Sequence, residues 1–89
     1  MSWTTNQLVS YNLKRIRVEK NMTQTEAREA TAPFLPDGKW SKVKWSAAER
    51  GVAGNRIKHF NADEIFGLAR GLGRHVGEFF RTAPKDVKQ

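Results

Sequence analysis

The chain has 89 residues, which is enough for one small domain with a thin hydrophobic core. It contains no cysteine, so disulfide frameworks and thiolate metal sites are excluded. Sixteen Lys and Arg residues against nine Asp and Glu residues give a formal net charge of +7, which favours a polyanionic partner such as nucleic acid, with simple solubility as the alternative.

Several classes of protein are not expected. No apolar run approaches the roughly 18–20 residues that span a bilayer, and the first ten residues lack the cationic start and apolar stretch of a signal peptide. The two histidines, His59 and His75, lack the spacing of a helical metal pair. No set of nucleophile, base and orienting group is visible. We therefore expect a cytoplasmic protein with no metal, no cofactor and no enzymatic activity.

The first predicted helix follows a polar N-terminal arm, residues 1–5. From Asn6 to Lys20, apolar residues recur mostly at steps of three and four with basic residues between them, which is typical of an amphipathic helix. Asn21 tolerates the left-handed conformation that ends helices.

A second helix is predicted from Gln24 to about Ala32. Thr23 and Glu26 have the spacing of a capping box, in which each side chain bonds the backbone N–H of the other. Prolines and the turn sequence Pro36-Asp37-Gly38 follow the helix and interrupt the pattern. We expect Phe34 and Leu35, between the prolines, to pack inward.

A third helix is predicted from the N-cap Ser41 to about Arg50. Trp40, Trp45 and Ala48 share one side of it and are expected to be buried. The opposite side has only short or cationic side chains before Glu49. Such a face permits a close approach to phosphates and suits a helix in the major groove of DNA, although an ordinary solvated face is the alternative.

A fourth helix is predicted to begin at Asn61, which forms a capping box with Glu64, and to end at Gly73. Its apolar stripe consists of Ile65, Leu68, Ala69 and Leu72. His75 to Arg81 can add one or two turns that bury Val76, Phe79 and Phe80. The fold class is therefore all-α with five helices, and residues 82–89 are expected to be disordered.

Three segments of the chain are MTQTEAREA, WSKVKWSAAERG and NADEIFGLARGLGRHVGEFF. Together they resemble the phage repressor and Cro family of helix-turn-helix domains, also called XRE-like. The resemblance covers Val9 to Phe80. It implies a compact five-helix bundle of the lambda repressor-like type over residues 6–81. The chain departs from the family between Thr31 and Trp40, where APFLPDGK replaces a turn of about four residues and can shift the angle of the third helix.

The resemblance makes the third helix the recognition helix. It implies that lysines donate to guanine or to phosphate and that small apolar side chains contact a thymine methyl group. For the two lysines, phosphate contact without base reading is the alternative. The expected base-contacting residues are Lys42, Val43, Lys44, Ser46 and Ala47.

Other residues are expected to position the protein or to stabilise it. The resemblance implies phosphate contacts at the start of the second helix, at the third helix and in the loop that follows it. It also implies a structural salt bridge between Arg17 and Glu49. The expected phosphate-contacting residues are Gln24, Ser41, Arg50, Asn55, Arg56 and Lys58.

The expected function is a sequence-specific regulator of transcription, a repressor, that binds double-stranded DNA. It would bind an inverted repeat as a homodimer, with Val76, Phe79 and Phe80 of the last helix as the candidate contact. A phage or mobile-element repressor and the antitoxin of a toxin–antitoxin pair both satisfy this description. The alternative from another class is a protein-interaction module with the same fold and only non-specific DNA binding.

Overall fold

The computed structural model describes residues 3–52 and 56–82, which form a compact, all-helical unit. Four α-helices span α1 (Thr5–Glu19), α2 (Gln24–Thr31), α3 (Lys42–Glu49) and α4 (Ala62–Leu72). A connecting 3₁₀ helix, Ala32–Phe34, follows α2, and a C-terminal 3₁₀ helix, Val76–Phe80, follows α4. The all-α prediction is confirmed, and neither described range contains a β-strand.

The predicted caps are present. Thr23 Oγ1 accepts from the Glu26 N–H at 3.0 Å, and the Glu26 carboxylate accepts from the Thr23 N–H at 2.8 Å. Asn61 and Glu64 form the same reciprocal pair at α4, and Ser41 Oγ accepts from the Lys44 N–H at 3.0 Å. These bonds satisfy N–H groups that have no partner within a helix.

One cap, at the start of α1, was not predicted from the sequence. Thr4 and Gln7 form a capping box that begins the helix at Thr5, within the predicted N-terminal arm. Trp3 folds back so that its ring centroid lies 5.3 Å from that of Tyr11. The first described residues are therefore part of the domain. Met1 and Ser2 lie outside the described residues.

The core is built from one face of each α-helix. Trp40, Trp45 and Ala48 are buried as predicted, and the two indole rings meet edge to face with their centroids 5.8 Å apart. The remaining buried apolar side chains come from α1, α2, α4 and the two 3₁₀ helices or their ends: Val9, Leu13, Ile16, Ala27, Leu35, Leu68, Ala69, Leu72 and Phe79. Ile65 and Val76 are partly buried against this cluster.

The predicted fifth α-helix is a 3₁₀ helix instead, so the five-helix count is not confirmed. The segment after Gly73, which has the left-handed φ of 68° that ends α4, offers few residues for an α-helix. Asn12 Nδ2 donates to the carbonyls of Phe79 and Arg81 at 3.0 and 2.9 Å, and occupies groups that a longer helix would use. The segment is held by α1, since short helices gain little stability alone.

Two aromatic side chains that were expected to be buried lie at the surface. Phe34 is 41% exposed and Phe80 is 40% exposed, whereas their neighbours Leu35 and Phe79 are buried. The connecting 3₁₀ helix directs Leu35 towards α4 and leaves Phe34 outside, where the Arg70 guanidinium lies 5.1 Å from its ring centroid. Adjacent residues of a tight turn cannot both face one core.

Two glycines of α4 allow the end of α2 and the connection that follows it to approach α4 closely. A Cβ atom at Gly67 would collide with the Phe34 carbonyl oxygen, and one at Gly71 would collide with the backbone of Thr31. Each glycine lowers the intrinsic stability of the helix by about 1 kcal/mol relative to alanine. Their presence allows the close approach that fixes where α3 begins.

The orientation of α3 depends on a buried carboxylate. Glu49 is 6% exposed, and its oxygens accept from Arg17 Nε at 2.6 Å, Arg17 Nη2 at 3.0 Å and Trp45 Nε1 at 2.7 Å. A fourth donor is Gln24 Nε2 at 3.2 Å. The expected pair of Arg17 and Glu49 is thus one part of a cluster that joins α1, α2 and α3.

None of the helices in the described part of the chain is both long enough and apolar enough to cross a membrane.

Replacing Glu49 with glutamine should destabilise the fold severely. The substitution removes the buried charge that compensates the partly buried Arg17, and breaking such a pair costs about 3 kcal/mol. A thermal melt followed by circular dichroism should therefore show a midpoint at least about 10 °C lower. The control is Glu29→Gln, because Glu29 is exposed and lies 3.9 Å from Lys39. An ion pair at the surface contributes little to the free energy of unfolding. Equal melting of the two variants would contradict a central role for Glu49.

Candidate nucleic-acid interface

The outer face of α3 is open, and no exposed acid lies on it. Val43 is 77% exposed, Lys42 beside it is exposed, and Ala47 is partly exposed one turn further on. The only acid of α3 is Glu49, which is buried in the cluster described above. Since Trp45 and Ala48 hold the opposite face in the core, Lys42, Val43 and Ala47 point away from the protein. We call Lys42, Val43, Lys44, Ser46 and Ala47 the α3 face.

The ammonium group of Lys44 is already engaged in contacts within the protein. Its ammonium lies 3.7 Å from the Glu64 carboxylate and 4.7 Å from the centroid of the Trp40 ring. Glu64 is also the capping residue of α4, so Lys44 links α3 to the start of α4. A cation shared in this way has less electrostatic attraction left for a ligand than Lys42, which has no acidic partner among the described residues.

Ser46 and Gln24 are bonded to each other. The Ser46 hydroxyl donates to Gln24 Oε1 at 2.9 Å, and the other end of the same amide donates to Glu49. The hydroxyl oxygen of Ser46 and one N–H of Gln24 stay available for a ligand. The two residues predicted as separate contacts therefore form one unit that links the start of α2 to the middle of α3.

The remaining predicted phosphate contacts lie around α3. Ser41 is exposed at the N-terminus, and its oxygen caps the helix while its hydroxyl proton is free to donate. Lys58 donates to the His59 carbonyl at 3.2 Å, and its ammonium lies 5.5 Å from the Trp40 ring centroid, so it shares that indole with Lys44. Asn55 lies outside the described residues.

A groove of about 800 Å³ runs between α1 and the end of α3. Arg50 and Arg56 line it from one side, as two of the predicted phosphate contacts, and Lys14 lines it from α1. All three are exposed, and none has an acidic partner within the described ranges. Lys14 was not predicted, because helical periodicity shows only that it faces outward and not that it lines the same groove as Arg50 and Arg56.

Other basic residues have structural roles. Arg15 and Arg74 both bind Glu19 and Glu78, at the end of α1 away from its N-terminal cap. Hydrogen bonds from Arg15 and Arg74 lower the pKa of Glu19 below its ordinary value. The stabilisation from this carboxylate is therefore present above its unfolded-state pKa and is lost as the pH falls through the lower folded-state pKa. These arginines are occupied, so they are poor candidates for ligand contacts.

The histidines have local roles. His59 is exposed, with Nδ1 at 3.3 Å from the side-chain nitrogen of Asn6. His75 Nδ1 accepts from the Gly77 N–H at 2.9 Å and caps the C-terminal 3₁₀ helix. Within residues 3–52 and 56–82, no group of three His, Cys, Asp or Glu side chains is placed to hold a metal ion.

Comparison with known proteins gives no further assignment: no family model, no curated protein and no solved structure matches this chain.

Proposed function

We propose that the protein is a DNA-binding regulator of transcription, in which α2 and α3 act as a helix-turn-helix and α3 enters the major groove. The observation that carries the proposal is the α3 face, which is open, cationic at Lys42 and without an exposed acid. An α-helix fits the major groove of B-DNA, and an exposed carboxylate on its face would repel the phosphates. The resemblance to the repressor and Cro family supports the same assignment.

The residues of the α3 face have complementary roles. Lys42 has the donor geometry for guanine or for a phosphate, and Val43 offers apolar surface to a thymine methyl group. Ala47 allows close approach one turn later. Lys44 adds positive charge at the rim of the face, where Glu64 offsets part of it. Direct reading is therefore concentrated on Lys42 and Val43.

Backbone contacts are assigned to the cations around the groove and near Trp40. Lys14, Arg50 and Arg56 line the groove together, and Lys58, like Lys44, lies near the Trp40 ring. Cations at or near the surface release counterions when they bind phosphates, which supplies affinity without sequence preference. Gln24 and Ser41 add neutral donors at two helix N-termini.

We further infer a homodimer that acts on an inverted repeat in the cytoplasm, at the nucleoid. A single module of this size buries only about 600–1,000 Å² of protein surface on DNA, which limits its affinity as a monomer. Two copies double the contact surface and read two half-sites about one helical turn apart.

A protein-interaction module with only non-specific DNA binding is the second candidate. The attachment of Lys44 to Glu64 and Trp40 favours it, because this leaves Lys42 as the one exposed cation of the α3 face that has no acidic partner among the described residues. An antitoxin that acts through a partner protein belongs to this candidate.

Selection from a randomised duplex pool at about 0.15 M salt separates the two candidates. A sequence-specific regulator should enrich an inverted repeat whose half-site centres lie about 10 base pairs apart or a multiple of that distance. Binding that vanishes as salt rises, without enrichment of any sequence, would overturn the specific regulator and leave the interaction module.

Lys42→Ala should lower affinity for the selected sequence by about tenfold, the loss expected for one base contact. Affinity for random DNA should fall far less. Lys39→Ala is the matched control, because Lys39 is an exposed lysine outside α3. Titration by fluorescence anisotropy gives both affinities. Equal losses on selected and random DNA would show that Lys42 contacts only the backbone.

Arg56→Ala and Lys14→Ala should each reduce the magnitude of the salt slope, log affinity against log salt concentration, by about 0.9. Selected and random sequences should weaken alike, since phosphate contacts do not read bases. Lys20→Ala is the control, because Lys20 does not line the groove. Its ammonium lies near Gly73, at the C-terminal end of α4. A salt slope that Lys14→Ala leaves unchanged would remove the α1 side of the groove from the interface.

A further inference from the structure

A patch of exposed aromatic side chains lies where α4 meets the connecting 3₁₀ helix. Phe66 is 55% exposed and Phe34 is 41% exposed, and both line a shallow depression of about 360 Å³ together with Pro33 and Pro36. Single exposed apolar residues are ordinary, but clustered ones mark interaction surfaces. The long connection between α2 and α3 supplies half of this patch.

Two opposite charges flank the patch on α4. Asp63 and Arg70 both line the depression, both are exposed, and neither has an ion-pair partner in residues 3–52 and 56–82. The patch therefore carries one acid and one base in a chain whose net charge is +7. Two copies that meet here avoid bringing like charges together, and repulsion between more distant cations is screened beyond about 8 Å at physiological salt.

The spacing of these side chains is self-complementary. Asp63, Phe66 and Arg70 follow steps of three and four, so they lie on one face of α4. Asp63 and Arg70 are about 10 Å apart along the axis of α4, and Phe66 lies next to the midpoint between them. A second copy turned by a two-fold axis at Phe66 would place its arginine opposite Asp63 and its aspartate opposite Arg70.

We propose that the patch formed by Phe34, Asp63, Phe66 and Arg70 is an isologous contact between two copies of this chain, with the α4 helices antiparallel. The two Phe66 rings pack near the axis, and two Asp63–Arg70 pairs close the contact at its ends. The last helix was the candidate from the sequence, but Phe79 is fully buried in its own chain and only Phe80 of the pair is exposed. The proposal concerns the homodimer of the proposed function and does not rest on DNA binding.

Charge reversal tests the contact in sedimentation equilibrium of the full chain without DNA. Asp63→Arg and Arg70→Asp should each weaken dimerisation at least about tenfold, because each places like charges opposite one another. An equimolar mixture of the two variants should form a heterodimer within about fivefold of the wild-type affinity, since both pairs regain opposite signs. Lys20→Asp, which changes the net charge as much as Arg70→Asp does, should leave dimerisation unchanged.

The aromatic part of the contact is tested by Phe66→Ala, which should weaken dimerisation about tenfold. Val18→Ala is the control, because Val18 is 54% exposed on α1 and does not line the patch. Circular dichroism checks that each variant is folded. A chain that stays monomeric at several hundred micromolar overturns the proposal and leaves the patch to a different protein, whereas a dimer insensitive to these variants assigns the contact to another surface.

Discussion

The structure depends on one buried carboxylate that serves three helices. Glu49 accepts four N–H groups, from Arg17 on α1, Gln24 on α2 and Trp45 on α3 itself. Each of these donors would be costly to bury without an acceptor, so the carboxylate can occupy only one place. Because Glu49 is bonded to α1 and α2 while Trp45, one turn before it, is buried in the core, the rotation of α3 about its own axis is fixed along with its position. The α3 face is open as a direct result.

The basic residues of the chain fall into two groups, those paired with acids and those without an acidic partner among the described residues. Arginines that bind acids, such as Arg15, Arg17 and Arg74, join separate elements of the fold. Glu19, Glu49 and Glu78 are partners of these arginines, and Glu26 and Glu64 belong to capping boxes. The α3 face carries no exposed carboxylate. Cations such as Lys42 and Arg56 then remain unpaired within the described residues. A net charge of +7 could not distinguish the two groups, because charge counts do not show which side chains meet.

Local signals predicted much of the fold, and long-range contacts set the limit. The capping boxes at Thr23 and Asn61 are local patterns with a direct physical meaning, so the starts of α2 and α4 were predictable. The hydrogen bonds from Asn12 to the carbonyls of Phe79 and Arg81 join residues far apart in sequence, and the periodicity of the sequence does not predict them. Which of Phe34 and its neighbour would be buried depended on the close approach to α4. The candidate site was predictable as a helix face, whereas the attachment of Lys44 to Glu64 and Trp40 was not.

The two glycines of α4 have a consequence for genetics. Gly67 and Gly71 lie on α4, outside the α3 face, yet Gly67 lets the connection and Gly71 lets the end of α2 approach α4 closely. An alanine at either position improves the local helix propensity and displaces the end of α2 or the connection, which together lead to Ser41. A screen for loss of function would therefore return substitutions at these glycines whatever ligand α3 binds. Such alleles would look like ligand-contact mutants in a phenotype, although the altered residue touches only the protein itself.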